Sequence, residues 1–351
     1  MITTPVSFLV RETRDSYCLV ANASGRIGIC EQEEPPVPKG SEFQVGLLKR
    51  SEIAEANRIF RLAFGTHLGM PDPMQFMGDR ELVQSRMRAK NVRAFAARHG
   101  ERLVGSCLAT RWGSFGFIGP LTVLPEYWNR GVAQRLLEKT VAQFDNWGVR
   151  QSGLLTFANS PKHVGLYQSF GYWPRSLTAI MTRAAELKPA FEPDLLSRLD
   201  RSAREATIRA AASLTSGISK GLDLTEEIRS ALVHRTGDVV LDRRRGILNG
   251  FAICLTGAGS EGGTKTCYVK FGAARGGRAG AQDFGRLLDG CEAYAAIHKR
   301  AIEAGTNLAR EGAFRVMKER GYRVTTLSIA MLRPNQEGFN RPDCWVIDDW
   351  R

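Results

Sequence analysis

The chain has no run of eighteen apolar residues, which argues against a helical membrane span. Its opening stretch, "MITTPVSFLVRETRD", holds only a short apolar patch before charges return, too short for a secretory signal core. It has no C-x-x-C pair, and its seven cysteines (Cys18, Cys30, Cys107, Cys254, Cys267, Cys291 and Cys344) are scattered. Free thiols in a reducing cytoplasm fit this better than a disulfide framework. The five histidines (His67, His99, His163, His234 and His298) lie far apart with no pair at ligand spacing, so no zinc site is expected. No G-x-S-x-G suggests a hydrolase elbow, and no Gly-Lys-Ser/Thr suggests a Walker loop. Acid is also in short supply, leaving a net charge of +13. That field favours an anionic partner, either nucleic acid or a phosphorylated cofactor, although net charge also serves plain solubility.

What is present is an ordinary globular balance, 43% hydrophobic and 24% charged residues, enough for a sizeable core. A length of 351 residues predicts two domains. Residues 1–43 read as an arm or linker, because "CEQEEPPVPKGSEF" mixes acid, proline and glycine. Beyond them "SEIAEANRIFRLAF" predicts a helix capped by Ser51, with Ile53, Ala56, Ile59 and Leu62 at helical spacing. A helical piece near Arg80 to Lys90, three strands, a helix ending at Gly148, the strand "SGLLTF", the helix "SPKHVGLYQSFG" and the strand "YWPRSLTAIMTR" follow. The rest of the chain repeats this order, with "VMKERGY" standing where "LYQSFGY" stands first. An internal duplication explains this, with one domain over 44–184 and a second over 185–351. "GAGSEGG" (257–263) reads as a flexible hairpin loop, and "DCWVIDDWR" as a last strand or an ordered tail.

The stretch "LTVLPEYWNRGVAQRLLEK" (121–139) carries the chemistry. A strand feeding a Gly-containing turn and then a helix gathers unpaired backbone N–H groups at a positive helix end, where phosphate binds favourably. Gly131 permits a left-handed backbone, Ala133 leaves the first turn open, and Arg130 and Arg135 add cationic reach. The turn suits a pyrophosphate; the alternative is a junction that uses glycine for geometry alone.

A second element, "GLYQSFGYWP" (165–174), places Tyr167 on a helix ending at Gly171. Together the two resemble the GNAT superfamily of N-acetyltransferases. There a strand ending in V-x-P precedes [Q/R]-x-x-G-x-[G/A] at a helix start, and L-Y-x-x-x-G-[F/Y] follows later. Here these are Val123-Leu124-Pro125, then Trp128-Asn129-Arg130-Gly131-Val132-Ala133, then Leu166-Tyr167 with Gly171-Tyr172. The resemblance covers about Phe43 to Arg183. It implies an α/β fold of the mixed α+β kind, with two GNAT-like domains, each a central mixed sheet flanked by helices. It also implies acetyl-CoA as cofactor, its pyrophosphate on the backbone of Trp128 to Gln134. The pantetheine arm would pair with Leu121, Thr122 and Val123, and its amide would reach Asn159 or Ser160. Tyr167 would protonate the departing thiolate as general acid, which a phenol of pKa near 10 can do while neutral at pH 7.

The chain also departs from the family pattern. Trp128 replaces the opening Gln or Arg, and Ser160 stands where the family often has Asn, with Asn159 one step off. No acidic residue lies within Phe115 to Val123; Glu126 and His163 read as structural, leaving a relayed water as base. Orientation and desolvation supply much of what a direct amine attack needs. The second half has Arg278 in its Gly-rich turn, no V-x-P, and Met317 at the place of Tyr167, which marks it as degenerate. It still offers a place for an anion and a wall for the substrate cleft. By resemblance the function is acetyl transfer to a primary amine on a small molecule or peptide; the cysteines place the protein in the cytoplasm, as a monomer or homodimer. Residues 67–88, rich in Met, Phe and Pro, would line the acceptor side. The competing readings are a catalytically inactive acyl-CoA-binding or protein-interaction module, and a nucleic-acid binder drawn by charge.

Overall fold

The computed structural model describes residues 42–184 and 191–351, together with the backbone of three strands ahead of them. The boundary expected after residue 184 therefore abuts residues outside those described. The three strands, β1 (Ser7–Glu12), β2 (Asp15–Ala21) and β3 (Ile27–Glu31), pair antiparallel in that order as a small sheet. They stand where an arm was expected. Their β-branched and aromatic residues favour strands, whereas the proline-rich run behind them dominated the sequence pattern.

From Phe43 onward the chain forms one compact unit. Its first half runs β4 (Phe43–Leu47), α1 (Ile53–His67), α2 (Leu82–Met87), β5 (Val92–His99), β6 (Arg102–Trp112), β7 (Phe115–Val123), α3 (Val132–Asn146), β8 (Gln151–Thr156), α4 (Pro161–Gln168) and β9 (Trp173–Arg183). The second runs α5 (Arg201–Ile218), α6 (Thr225–Val233), β10 (Gly237–Arg244), β11 (Ile247–Gly257), β12 (Gly263–Ala274), α7 (Gly280–Ile297), β13 (Ala301–Asn307), α8 (Glu311–Glu319), β14 (Arg323–Arg333) and β15 (Trp345–Asp348). All their strands belong to one twelve-stranded mixed sheet, in the order β10-β11-β12-β13-β9-β14-β8-β7-β6-β5-β4, with β15 added on β12. The halves exchange their closing strands: β14 lies between β8 and β9, and β9 lies between β13 and β14.

Local chemistry explains the elements that position the site. α3 turns Val132, Leu136, Leu137, Thr140 and Phe144 inward, a stripe at helical spacing. Gly116 of β7 makes room for it, because a Cβ there would stand 2.6 Å from the Phe144 ring. α1 begins at Ile53, and Ser51 falls within a 3₁₀ turn instead of serving as the cap. The entry is held by Glu52, which accepts the Lys49 N–H at 2.7 Å and two Arg98 bonds at 2.6 Å.

The "GAGSEGG" segment does join a hairpin, β11 to β12, but its centre is buried. Glu261 is 2% exposed and accepts from Arg86 at 3.0 and 2.7 Å and from Lys270 at 2.7 Å. Lys270 also lies 2.9 Å from Glu227, which accepts from the Trp112 indole and the Asn91 amide. Arg86 sits on α2 of the other half, a partner that local composition cannot reveal.

Candidate active site

β7 and β8 run parallel and in register from Phe115/Gln151 to Ile118/Leu154, and then separate. Beyond that point β7 keeps β6 on one side, while β8 continues against β14. The Leu124 N–H bonds the Val104 carbonyl of the β6 side at 2.8 Å. Strand alternation therefore turns the main-chain groups of Leu121 and Val123 to the open edge and those of Thr122 toward β6. Thr122 is buried, and its hydroxyl lies 3.2 Å from that of Ser106. Of the three residues expected to pair with a ligand, two face the gap.

The turn after β7 is a short 3₁₀ segment, Pro125–Tyr127, followed by two left-handed residues, Asn129 (φ 63°) and Gly131 (φ 77°). Asn tolerates this conformation through its short polar side chain, and at Gly131 nothing lies within 4 Å of where a Cβ would stand. Gly131 caps α3, whose first helical bond runs from the Arg135 N–H to the Gly131 carbonyl. The N–H groups from Gly131 to Gln134 are thus the unpaired donors of a helix start. Arg130 lies over the rings of Tyr127 (4.9 Å) and Phe43 (5.4 Å), at the side of this turn. Arg135 donates to the Phe43 carbonyl at 2.8 Å, so it anchors β4 instead of reaching outward. A further cation, Lys162 on α4, bonds the Asn129 side chain and lies 5.9 Å from the Trp128 ring centroid. Sequence spacing gave no hint of Lys162, because its approach depends on the packing of α4.

Trp128 is the unexpected element. Its indole N–H donates to the Val123 carbonyl at 2.8 Å, on the open edge of β7. The side chain that replaces the family's Gln or Arg thus takes one of the acceptors an incoming ligand amide would use.

Tyr167 is 7% exposed, and among the described residues its hydroxyl has no hydrogen-bond partner. Burial first, then the Cys107 thiol and the Tyr172 phenol, raise its pKa well above the ordinary value. Cys107 is the cross-strand partner of Leu121, so the phenol sits beside the part of β6 that backs the open edge. Asn159 and Ser160 follow β8, with Ser160 at the N-cap of α4 and Pro161 at its first position. His163, one turn before Tyr167, packs its ring 4.8 Å from that of His67, with Phe157 alongside at 6.0 Å. Burial, then His67 and Lys162, lower the His163 pKa to about 4, and its buried Nδ1 has no partner. Glu126 is tied to Arg102 at 2.6 Å on the exposed side of the turn. Phe76, from the loop expected to line an acceptor, packs on Phe60 and Phe64.

The second half has the same gap, closed. β12 and β13 are parallel from Thr266/Ala301 to Val269/Ala304, and beyond them β12 pairs antiparallel with β15 from Phe271/Asp348 to Ala274/Trp345. Trp345 covers the start of α7: a Cβ on Gly280 would lie 2.1 Å from its Nε1. Met317, at the place of Tyr167, is fully buried.

These features have counterparts among known proteins. Residues 58–172 match the sequence profile of the acetyltransferase (GNAT) family. No curated protein matches the chain in sequence. Among solved structures, a putative acetyltransferase from Pyrococcus horikoshii is 13% identical, with a TM-score of 0.64 over 92% of this chain and 98% of its own. A GCN5-related N-acetyltransferase from Sphaerobacter thermophilus is 14% identical, with a TM-score of 0.54 over 85% and 96%. A tandem GNAT protein from the clavulanic acid biosynthesis pathway is 12% identical, with a TM-score of 0.51 over 83% and 98%. At these identities the structures share the fold. With the gap, turn and tyrosine in that order, residues 58–172 match the GNAT family and the chain as a whole has the GNAT fold.

Proposed function

We propose that this protein is an acetyl-CoA-dependent N-acetyltransferase with its working site in the first half and a degenerate GNAT-like domain as its second. The observation that carries this reading is the open edge of β7 leading into the Asn129–Gly131 turn, with Tyr167 alongside. The residues fit the cofactor: the space beside Gly131 is clear, and Leu121 and Val123 point main-chain groups into the gap. The N–H groups of Gly131 to Gln134 would hold its pyrophosphate, with Lys162 and Arg130 adding charge. When bound, acetyl-CoA supplies a thioester, whose C–S bond breaks as the new N–C bond to the amine forms. Tyr167, kept neutral by burial, holds the proton destined for the departing sulfur. His163, held at about 4, is neutral at pH 7 but too weak a base to take an ammonium proton, so the amine loses its proton to water.

The pairing of β12 with β15 leaves one such gap among the described residues, so calorimetric titration with acetyl-CoA is expected to saturate at one site per chain. Thiol release in the presence of amines then identifies the acceptor; no saturable heat with any coenzyme A species overturns the reading. Trp128 favours a second reading, a protein that binds acyl-CoA without turnover, since its indole competes for the Val123 carbonyl. Trp128→Phe keeps the ring but cannot donate. One hydrogen bond is worth about 0.5–1.5 kcal/mol net, so this variant is expected to bind coenzyme A about 2- to 12-fold more tightly in the same titration. Equal affinity would show that the indole does not compete.

A further inference from the structure

We propose that the second half carries an anion site for a small organic phosphate, remote from the β7 gap. A recess of about 240 Å³ lies where α6, α7 and β11 end and β10 begins, with Arg235, Arg300, His298, Tyr294 and Thr256 in its wall. Since one water occupies about 30 Å³ of liquid, this is room for a phosphate group with a short carbon skeleton.

The helix ends are built to deliver the arginines there. α6 closes with Arg235 left-handed (φ 52°) and the Thr236 N–H on the Ala231 carbonyl at 3.1 Å. α7 closes the same way, with Lys299 left-handed (φ 55°) and the Arg300 N–H on the Ala295 carbonyl at 3.0 Å. These bonds cap end carbonyls of both helices, whose C-termini still carry partial negative charge that the two guanidiniums must outweigh. Elsewhere arginines near the core are matched with carboxylates, as Arg80, Arg86, Arg310 and Arg351 are. Arg235, which is exposed, and the half-buried Arg300 have no carboxylate partner among the described residues.

The wall also holds an unused donor. Thr256 is 8% exposed, and its hydroxyl is fully buried with no partner. The Tyr294 hydroxyl likewise has none among the described residues. A buried hydroxyl without a partner costs free energy that an oxyanion ligand recovers. Two guanidiniums and two hydroxyls supply donors from several directions, which suits a tetrahedral phosphate. Asp238, the nearby carboxylate, accepts the Ser197 and Val239 N–H groups at 3.2 and 2.7 Å. α7 separates this recess from its own N-terminal turn by eighteen residues, about 27 Å of helix.

The test is calorimetry and thermal shift with inorganic phosphate, glycerol phosphate and malonate, on protein saturated with coenzyme A so that the first-half turn is occupied. Wild type is expected to bind a phosphate at one further site per chain, more tightly than malonate. Arg300→Ala is expected to weaken it at least tenfold and the near-isosteric Thr256→Val several-fold, each leaving coenzyme A affinity unchanged. No saturable second site, equal binding by the variants, or a preference for malonate would each overturn the proposal.

Discussion

Tyr167→Phe is expected to lower kcat by about two to four powers of ten, the usual contribution of a positioned general acid, with coenzyme A affinity unchanged. The substitution is clean, because the lost hydroxyl has no partner among the described residues and the ring keeps its place in the core. Stability should therefore stay level or rise slightly, since an unsatisfied buried hydroxyl is removed, and a melt alongside the kinetics separates chemistry from folding. Because burial raises the phenol's pKa, its ionisation should produce no fall in kcat up to about pH 10, the ordinary tyrosine value. An unchanged kcat in the phenylalanine variant would falsify the assignment of Tyr167 as acid.

The largest effect on stability is expected at Glu261. Glu261→Gln leaves Arg86 and Lys270 buried with Glu227 as their remaining nearby carboxylate. Removing one partner of a buried ionic cluster costs about 3–5 kcal/mol, a large share of the 5–15 kcal/mol typical of a folded domain. The check is the denaturation midpoint in urea. Arg86→Met with Glu261→Met, which keeps the Lys270–Glu227 pair, is expected to lose less than Glu261→Gln alone. A double variant as unstable as the single one would assign the loss to packing and not to charge. Burial pushes the Glu261 carboxyl up, but Arg86 and Lys270 outweigh it and hold it at about 2. A depressed carboxyl stabilises the fold above its unfolded pKa near 4.5, and that contribution drains away as pH falls toward 2. Glu303, between Arg80 and Arg351, adds to the same acid sensitivity.

What the sequence disclosed and what it hid follow from range. The strand–turn–helix around Gly131 and the helix of Tyr167 are local patterns, and their periodicity and glycine positions were legible. Partnerships across the two halves were not. Nothing in "GAGSEGG" announces that Glu261 meets Arg86, 175 residues away, and nothing in "DCWVIDDWR" announces that Trp345–Asp348 will pair with β12. Trp128 was visible as a departure from the family pattern, but the acceptor its indole uses was not. Lys162 escaped as well, since its bond to Asn129 joins α4 to the turn before α3, a contact only packing makes.

The exchange of β9 and β14 has a consequence for how such a molecule arises. A chain stopping after β9 would leave β8 without its outer neighbour and β9 with neither flank covered, an arrangement prone to recruiting strands from other molecules. A single-copy forerunner of this architecture would have completed its sheet by lending that strand to a twin and borrowing one back. Within one chain that exchange is covalent and independent of concentration. The same chain supplies β15, so a length of its own backbone fills the gap beside β12.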